Sequence, residues 1–416
     1  MKCSTEDEMH PRHHFSPARS DVRAGEADAS FWNDMAQTTL ATHLTWQPKE
    51  TLAKNVIMFL GDGLSIPTLA AARIKNGGEQ STLIWEDQLQ EEKTMQHFLC
   101  HIVTYCVDTM VADSACSATA YLCGVKANTA TIGVTASVQN KDCNAMRNTS
   151  NHVYSIIRKA QLAGLATGIV TTTRITHASP AGAYAHTADR DWENDDDVSN
   201  DGRDPAVCDD IAEMLIRGET GQNLNVILGG GRYNFRPSNV VDEEGSNGRR
   251  NDGGRIDHAH HETRAQYALD ETIQFDHAIR AALAAVNIDD TLIVMTADHA
   301  HTMSLNGYPD RGGDLLDLKP YSTLSYGNGP GYKNPNPDGS RYDISNDDFT
   351  DPRYQYPAVA PLGSETHGGD DVGVFAWGPW AHLYTGTYEQ NYIAHVMAYA
   401  SCLGEGLTSC TAIRNE

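Results

Sequence analysis

Residues 55–75, NVIMFLGDGLSIPTLAAARIK, combine a strand pattern with a helix pattern, and this combination indicates the fold class. The run from Val56 to Leu60 is apolar without interruption, which predicts a strand buried on both faces of a sheet. The residues that follow predict a helix with Ser65 as its N-cap and Pro67 in its first turn. A buried strand that leads directly into a helix is typical of a sheet covered by helices.

The same alternation recurs along the chain. Further apolar runs predict strands at 166–173, 224–231, 291–299 and 371–378. Helical patterns occupy 151–164 and 262–286. We therefore predict an α/β fold that is doubly wound, with a mostly parallel central sheet and helices on both faces.

Composition predicts the domain organisation. Residues 1–28 are charged and aperiodic, which predicts disorder, and the aromatic residues within 29–40 are expected to dock a helix on the core. One domain is predicted over 29–410, with a loop-rich insertion at about 306–366, where Gly, Pro, Asn, Tyr and Asp interrupt the alternation. Residues 411–416 are predicted to form a tail.

The charge balance excludes a class of partner. The chain has 31 Lys+Arg and 55 Asp+Glu, which gives a net charge of -24, and such a field repels nucleic acid. An anionic substrate must then be held by metal ions, helix ends or individual arginines. The sequence as it stands shows no apolar core of signal-peptide length and no run of transmembrane length, so neither a secretory address nor a membrane span is expected in it.

Polar side chains follow several of the predicted strands. Asp62 follows the first strand, Asp298 and His299 follow the run at 291–297, and a Thr-rich turn leads to His177 and Ser179. Ligands of open α/β sheets bind outside the carboxyl ends of the strands, so these residues are expected to converge. Any one of them taken alone is more often a turn former or a helix cap.

A second cluster occurs in RNDGGRIDHAHHE, residues 250–262. Asp257 and His261 are four residues apart at the start of the predicted long helix, so they share a face and can bind one ion together. His258 can point to the same side, and His367 in the motif ETHGG is a candidate third ligand. Carboxylate and imidazole ligands without thiolate favour catalytic zinc, whereas the alternative is a solvated, polar helix start.

Two further residues are candidates for catalysis. Ser114 precedes a helical run of small residues, where its hydroxyl is either a nucleophile at a helix N-terminus or simply the N-cap. Arg190 stands among acids. It is either a surface ion-pair partner or a bidentate clamp on a tetrahedral oxyanion.

The nine cysteines include no CxxC pair, so a structural zinc finger is not expected. Cys402 and Cys410 flank a glycine-containing loop that a disulfide could close, which would imply an oxidising compartment. Free buried thiols at these two positions are an equal alternative.

Together these motifs resemble a known family. FLGDG, DSACSATAYLCGVK, THASPAGAYAHTADRDW, GGRIDHAHHE, TADHAH and ETHGG occur in the order seen in the alkaline phosphatases of animals, of the secreted or membrane-anchored type. The resemblance extends from about Phe31 to Cys410. It implies hydrolysis of phosphate monoesters by a serine nucleophile with two zinc ions and one magnesium ion, in a homodimer at the cell surface held by a lipid anchor.

The resemblance also implies roles for single residues. One zinc is expected on Asp257, His261 and His367, and the other on Asp62, Asp298, His299 and Ser114. Magnesium is expected on Asp62, Ser179 and Asp252. His177 and His258 are expected beside the metals, and Arg190 is expected to bind the phosphate. Disulfides are expected between Cys143 and Cys208 and between Cys402 and Cys410.

The sequence departs from the family pattern in one region. Family members carry several tens of additional residues between the GGGR turn and GGRIDH, which end in an apolar strand and a magnesium-binding glutamate. Here that block is missing and Asp252 stands at the position of the glutamate. Weak magnesium binding is therefore expected, and calcium binding is doubtful because the calcium ligands lie largely in the missing block. The alternative function is a catalytically impaired or inactive homologue that binds a partner at the cell surface.

Overall fold

The structure is a computed structural model. It describes residues 24–78, 81–86, 97–236, 255–307, 322–340, 342–349 and 351–410. Residues 1–23 of the segment 1–28 that is predicted to be disordered, the predicted tail 411–416 and Asp252 therefore lie outside the described residues.

The strands are given first, in chain order. They are β1 (Asn55–Gly61), β2 (His97–Val103), β3 (Gly168–Arg174), β4 (Val226–Gly230), β5 (Thr291–Ala297), β6 (Ala300–His301), β7 (Met303–Leu305), β8 (Leu324–Gly329), β9 (Ala358–Pro361), β10 (His367–Gly368), β11 (Val372–Trp377) and β12 (Gly386–Glu389).

The α-helices of the described residues follow the same convention. They are α1 (Ala29–Leu44), α2 (Ile66–Gly77), α3 (Ser114–Ala118), α4 (Cys143–Met146), α5 (Ile156–Leu162), α6 (Ala178–Ala181), α7 (Asp195–Asn200), α8 (Ile211–Arg217), α9 (Arg255–His261), α10 (Ala265–Ala285) and α11 (Tyr392–Ser401). A π-helix, Thr119–Cys123, continues α3.

The central sheet has the strand order β1-β5-β11-β2-β12. Strand β1 pairs parallel to β5, and β12 pairs parallel to β2, whereas β11 is antiparallel to both of its neighbours. Strand β11 runs back because β10, just before it, pairs with β6 at the carboxyl end of β5. The α/β fold class is confirmed, and the reversed β11 makes the five-stranded sheet mixed.

Burial along the sheet follows the sequence pattern. Every residue of β5 and of β11 is buried, as expected of apolar strands in the middle of a covered sheet. Helices α2 and α10 pack against each other and α10 contacts β1, while α11 contacts β1 and the π-helix. Ser65 caps α2 by accepting a hydrogen bond from the backbone N–H of Thr68, and Pro67 lies in the first turn, as predicted.

Strands β3 and β4 form a separate parallel pair. Their apolar side chains are largely exposed, at 73% for Val170, 48% for Val226 and 59% for Leu228. Apolar runs in parallel strands are normally buried on both faces. Among the described residues, no segment covers these apolar side chains of β3 and β4.

The segment at 306–366 contributes β8 and β9, which form a three-stranded sheet with β7. Its side chains Leu324, Tyr326 and Tyr356 are fully buried and belong to the main core cluster. The insertion thus packs onto the core of the domain.

Helix α1 does not pack as expected. None of its residues is buried, and Trp32 is 45% exposed. The expectation that the aromatic residues of 29–40 dock this helix on the core is therefore wrong for the single chain. Among the described residues, no helix combines the length and the apolar character that crossing a membrane requires.

Candidate active site

The site lies where β1 and β5 end. Gly61 and Ala297 are partners in the parallel pair, so Asp62 and Asp298 leave the sheet side by side. The backbone N–H of Gly63 donates to Asp298 Oδ1 at 2.9 Å and links the two strand ends. Gly63 has φ +71°, and a Cβ there would lie 2.4 Å from a histidine ring nitrogen, so only glycine fits.

Asp62, Asp298 and His299 form the first cluster, in which their candidate ligand atoms all lie within 4.8 Å of one another. His299 Nε2 is 3.6 Å from Asp62 Oδ1 and 3.4 Å from Asp298 Oδ2. Asp298 Oδ2 is buried and has no hydrogen-bond partner. A buried, unpaired carboxylate oxygen is costly unless a cation or a donor satisfies it.

The electrostatics of this cluster favour a cation. Burial and the neighbouring carboxylate of Asp298 raise the pKa of Asp62 well above its usual value, and burial also raises the pKa of Asp298. Burial and the nearby His367 lower the pKa of His299 well below its usual value, so its ring is neutral. Two carboxylates that resist ionisation and one neutral imidazole are the donor set that a bound divalent cation would stabilise.

The second cluster consists of Asp257, His261, His301 and His367. His261 Nε2 and His367 Nε2 lie 3.3 Å and 3.5 Å from Asp257 Oδ1. Burial raises the pKa of Asp257, but hydrogen bonds from the three histidines outweigh burial and place the pKa well below its usual value. The rings of His299 and His367 stack with centroids 3.5 Å apart, so the two clusters adjoin.

The helix that carries Asp257 and His261 differs from the prediction. Both residues lie on the short helix α9, and the long helix α10 begins separately at Ala265. The break occurs because Thr263 adopts a left-handed conformation with φ +55° and its N–H turns back to the carbonyl of His260. The two side chains still share one face, as the four-residue spacing predicts.

Two residues of the site, His301 and Glu365, were not identified from the sequence. His301 is fully buried and donates to Asp257 Oδ1 at 2.8 Å and to Glu365 Oε2 at 2.5 Å. Both ring nitrogens of His301 are thereby used, so it orients Asp257 and is not free to bind an ion. Its position in TADHAH, two residues after His299, was the available signal.

Ser114 is not the cap of its helix. The Asp113 side chain caps α3 by accepting a hydrogen bond from the backbone N–H of Cys116, so the N-cap interpretation of Ser114 is wrong. The Ser114 hydroxyl instead faces the first cluster, 3.4 Å from Asp62 Oδ1 and 3.1 Å from His299 Nε2.

Arg190 lies inside the site rather than on the surface. Its guanidinium forms an ion pair with Asp113 Oδ2 at 3.1 Å, and its side chain is 21% exposed. A second guanidinium nitrogen lies 3.3 Å from His177 Nε2. Because Asp113 directly precedes Ser114, this ion pair holds the guanidinium beside the serine.

The remaining predicted residues surround this core. Ser179 Oγ donates to Asp62 Oδ2 at 3.0 Å. His177 Nδ1 is buried without a partner. His258 is more peripheral, with Nε2 3.9 Å from Asp257 Oδ2 and a side chain 40% exposed.

The structure contains disulfides at Cys143–Cys208 and Cys402–Cys410, so the free-thiol alternative for the second pair is wrong. A third disulfide, Cys106–Cys116, was not predicted.

Comparison with known proteins decides the family. The alkaline phosphatase family profile matches residues 53–254 and 251–403. The membrane-bound alkaline phosphatase of Bombyx mori is 39% identical over 507 residues, which cover 98% of this chain and 92% of the relative. The tissue-nonspecific isozyme of Mus musculus is 38% identical over 490 residues, with 94% and 92% covered. The chain belongs to the alkaline phosphatase family.

Solved alkaline phosphatases share the fold. The enzyme of Thermus thermophilus superposes with a TM-score of 0.54 at 19% identity, over 88% of this chain and 96% of that one. The enzyme of the Antarctic bacterium TAB5 gives 0.51 at 21% identity, over 85% and 99%.

The comparisons also indicate where family members contain sequence that this chain lacks. The two segments matched by the family profile overlap at 251–254, at the start of the GGRIDH motif. The alignment with the Bombyx mori relative spans 507 positions although this chain has 416 residues, so the relative contains sequence that is absent here. Missing sequence at this point is consistent with the exposed apolar strands β3 and β4.

Proposed function

We propose that this chain hydrolyses phosphate monoesters and that Ser114 is the nucleophile, which forms a phosphoserine intermediate. The position of the Ser114 hydroxyl carries the proposal, because it lies within 3.4 Å of both Asp62 and His299 while Asp113 performs the capping. Membership in the alkaline phosphatase family supports the same class of reaction.

Two zinc ions are the proposed cofactors. Their donor sets contain carboxylate and imidazole without thiolate, which suits catalytic zinc, and the orphaned Asp298 Oδ2 supports a cation at the first cluster. When bound, zinc would lower the pKa of the Ser114 hydroxyl and withdraw charge from the phosphoryl oxygens. The proposed ligands are Asp257, His261 and His367 for one ion and Asp62, Asp298, His299 and Ser114 for the other.

The residues of the chain then account for the two halves of the reaction. Arg190, held by Asp113, offers two parallel N–H donors to the phosphoryl oxygens of the substrate. Ser114 Oγ attacks phosphorus as the P–O bond to the alcohol breaks, and the alcohol leaves with a proton. Water then attacks the phosphoserine, which releases inorganic phosphate and restores the Ser114 hydroxyl.

A weakly bound magnesium ion is proposed beside Asp62 and Ser179. The third ligand implied by the family, Asp252, is shorter than glutamate, so its carboxylate falls short by up to about 1.5 Å with the backbone unmoved. Metal–ligand distances tolerate only about 0.2 Å. Calorimetric titration should show weak magnesium binding that Asp252→Glu alone barely improves, and tight binding by the parent chain would contradict this.

A homodimer at the extracellular surface, attached by a lipid anchor, is the proposed assembly. Three disulfides suit an oxidising compartment, and the insect relative is named as membrane-bound. Helix α1, which buries none of its residues on its own chain, is available to pack on a second copy. Light scattering should give a dimer mass that is lost when residues 29–44 are deleted, whereas a monomer mass for the intact chain would contradict the dimer.

The test of the proposed function is an assay on a chromogenic phosphate monoester after loading with zinc and magnesium. Activity is expected in the parent chain and in Ser150→Ala, an exposed serine, but not in Ser114→Ala. The competing function, an inactive homologue that binds a partner, draws support from the sequence missing before GGRIDH. Full zinc loading without turnover would favour that competing function.

A further inference from the structure

A short loop beside the proposed nucleophile is closed by the disulfide Cys106–Cys116. The two cysteines are ten residues apart, their Cα atoms are 5.7 Å apart, and each is 2% exposed. They form a small buried cluster with Ala112 and Ala127. The chemistry proposed above does not use this disulfide.

Three consecutive residues inside this loop contact the site. The carbonyl oxygen of Ala112 accepts a hydrogen bond from His367 Nδ1 at 2.9 Å, which fixes the orientation of that ring. Asp113 Oδ2 binds the Arg190 guanidinium at 3.1 Å. Ser114 follows directly. The backbone position of residues 112–114 therefore sets the positions of a proposed metal ligand, a phosphate-binding group and the nucleophile together.

The other restraints on this loop are noncovalent, and among them Asp113 Oδ1 accepts hydrogen bonds from the backbone N–H groups of Cys116 and Ala130 at 3.1 Å and 3.2 Å. Helix α3 begins only at Ser114, so residues 106–113 lie outside any helix. The outer part of the loop is exposed, at 54% for Val107 and 90% for Met110. Hydrogen bonds to the segment 127–130 hold this outer part, and in one of them the backbone N–H of Thr129 donates to Asp108 Oδ1 at 2.8 Å. The disulfide is the covalent restraint at the buried end, where residues 112–114 lie.

We propose that the Cys106–Cys116 disulfide is a positioning crosslink for the active site, which holds residues 112–114 so that His367, Arg190 and Ser114 keep their mutual geometry. The proposal rests on the proposed function. Because a displacement of about 1 Å in a catalytic group costs about a hundredfold in rate, loss of the crosslink should affect catalysis more than folding.

The test compares two double variants. Cys106→Ala with Cys116→Ala removes this crosslink, and Cys402→Ala with Cys410→Ala removes a disulfide of similar separation, eight residues, near the end of the described chain. The first variant should lose about tenfold or more in kcat/KM and bind inorganic phosphate correspondingly more weakly. The control should keep both values, with a fall in Tm at least as large.

Coupling to Arg190 separates positioning from general destabilisation. If the crosslink acts on phosphate binding through Asp113, its removal should weaken phosphate binding much less in an Arg190→Ala background than in the parent. Equal losses in the two backgrounds, an unchanged kcat/KM in the first double variant, or equal losses in the control would each overturn the proposal.

Two measurements keep the inference independent of turnover and of folding. Calorimetry of inorganic phosphate binding to the zinc-loaded protein tests the role of the crosslink even when no ester is hydrolysed. Absence of hydrolysis would count against the proposed function alone. Peptide mapping of the parent protein by mass spectrometry should recover Cys106 joined to Cys116. Recovery of both as free thiols in folded, phosphate-binding protein would overturn the proposal even if the double variant does not fold.

Discussion

The Nε2 atoms of His261 and His367 lie 3.2 Å apart. Each ring uses Nδ1 to donate a hydrogen bond to a backbone carbonyl, of Glu365 and of Ala112 respectively, so Nε2 is the ring atom that faces Asp257 and the other ring. Asp257 Oδ1 lies 3.3 Å from His261 Nε2 and 3.5 Å from His367 Nε2, so one carboxylate oxygen and two imidazole nitrogens converge on one point. Carboxylate and imidazole are the ligands that catalytic zinc uses, and this convergence is the physical reason to propose a metal at this cluster.

Zinc content tests this assignment. Protein equilibrated with zinc should contain about two ions per chain, one for each cluster, and His367→Ala should lower the content to about one, because the second cluster then loses one of three proposed ligands. His101→Ala, which removes an exposed histidine of β2, is the control and should keep both ions. Elemental analysis gives the number. An unchanged zinc content in His367→Ala would refute the assignment.

Arg190 is expected to act on phosphate and not on metal. Arg190→Ala should weaken inhibition by inorganic phosphate about ten- to a hundredfold, the range for losing charge-assisted hydrogen bonds worth about 1.5–3 kcal/mol. Zinc content should stay the same. The matched control is Arg217→Ala, which removes an exposed arginine paired with Glu213. If the two variants show the same inhibition constant, Arg190 does not bind phosphate.

The pH dependence of the zinc-free protein reports on His301. Burial lowers its pKa, but hydrogen bonds to Asp257 and Glu365 outweigh burial and raise it to about 10. Since the folded state holds this proton more tightly, the contribution to stability is complete below the unfolded-state pKa of about 6.5 and is lost as pH rises through about 10.

Urea unfolding of chelator-treated parent and His301→Gln proteins checks this. The difference in unfolding free energy should shrink as pH rises from 6.5 towards 10, with a slope of at most about 1.4 kcal/mol per pH unit for one proton. His101→Gln should show no such trend relative to the parent. A difference that stays constant across this window would mean that His301 is not held as the charged partner of the two carboxylates.

Because β4 is exposed and β5 is buried, a leucine in β4 should contribute less to the free energy of unfolding than a leucine in β5. Leu292 in β5 is fully buried and Leu228 in β4 is 59% exposed. Leu292→Ala should lower the unfolding free energy by about 2–5 kcal/mol because it leaves a cavity, and Leu228→Ala should change it by less than about 1 kcal/mol. Denaturant unfolding measures both. Equal losses would show that β4 is covered in solution.

The two candidate metal clusters could be predicted because their residues follow strong patterns. Asp62, Asp298 and His299 come directly after uninterrupted apolar runs, and parallel strands bring such ends together. Residues four apart share one face on any helix. The prediction that Asp257 and His261 lie together was therefore correct, although they lie on the short helix α9 and not on the long helix. Local spacing was sufficient for these contacts.

Other features depend on long-range packing that no local pattern encodes. His301 and Glu365 meet across 64 residues, and Asp113 rather than Ser114 caps α3, a choice between neighbours that only backbone geometry decides. The reversed direction of β11 follows from the pairing of β6 with β10, two strands of two residues each, which are too short to recognise in a sequence.

Trapping the phosphoserine tests the proposed role of Ser114 most directly. Zinc-loaded protein is mixed with a phosphate monoester, quenched in acid and digested, and the peptide that contains Ser114 is analysed by mass spectrometry. One phosphoryl group is expected on Ser114, absent from Ser114→Ala and present in Ser150→Ala. Hydrolysis that continues in Ser114→Ala at an undiminished rate, or phosphate found on another residue, would contradict this role.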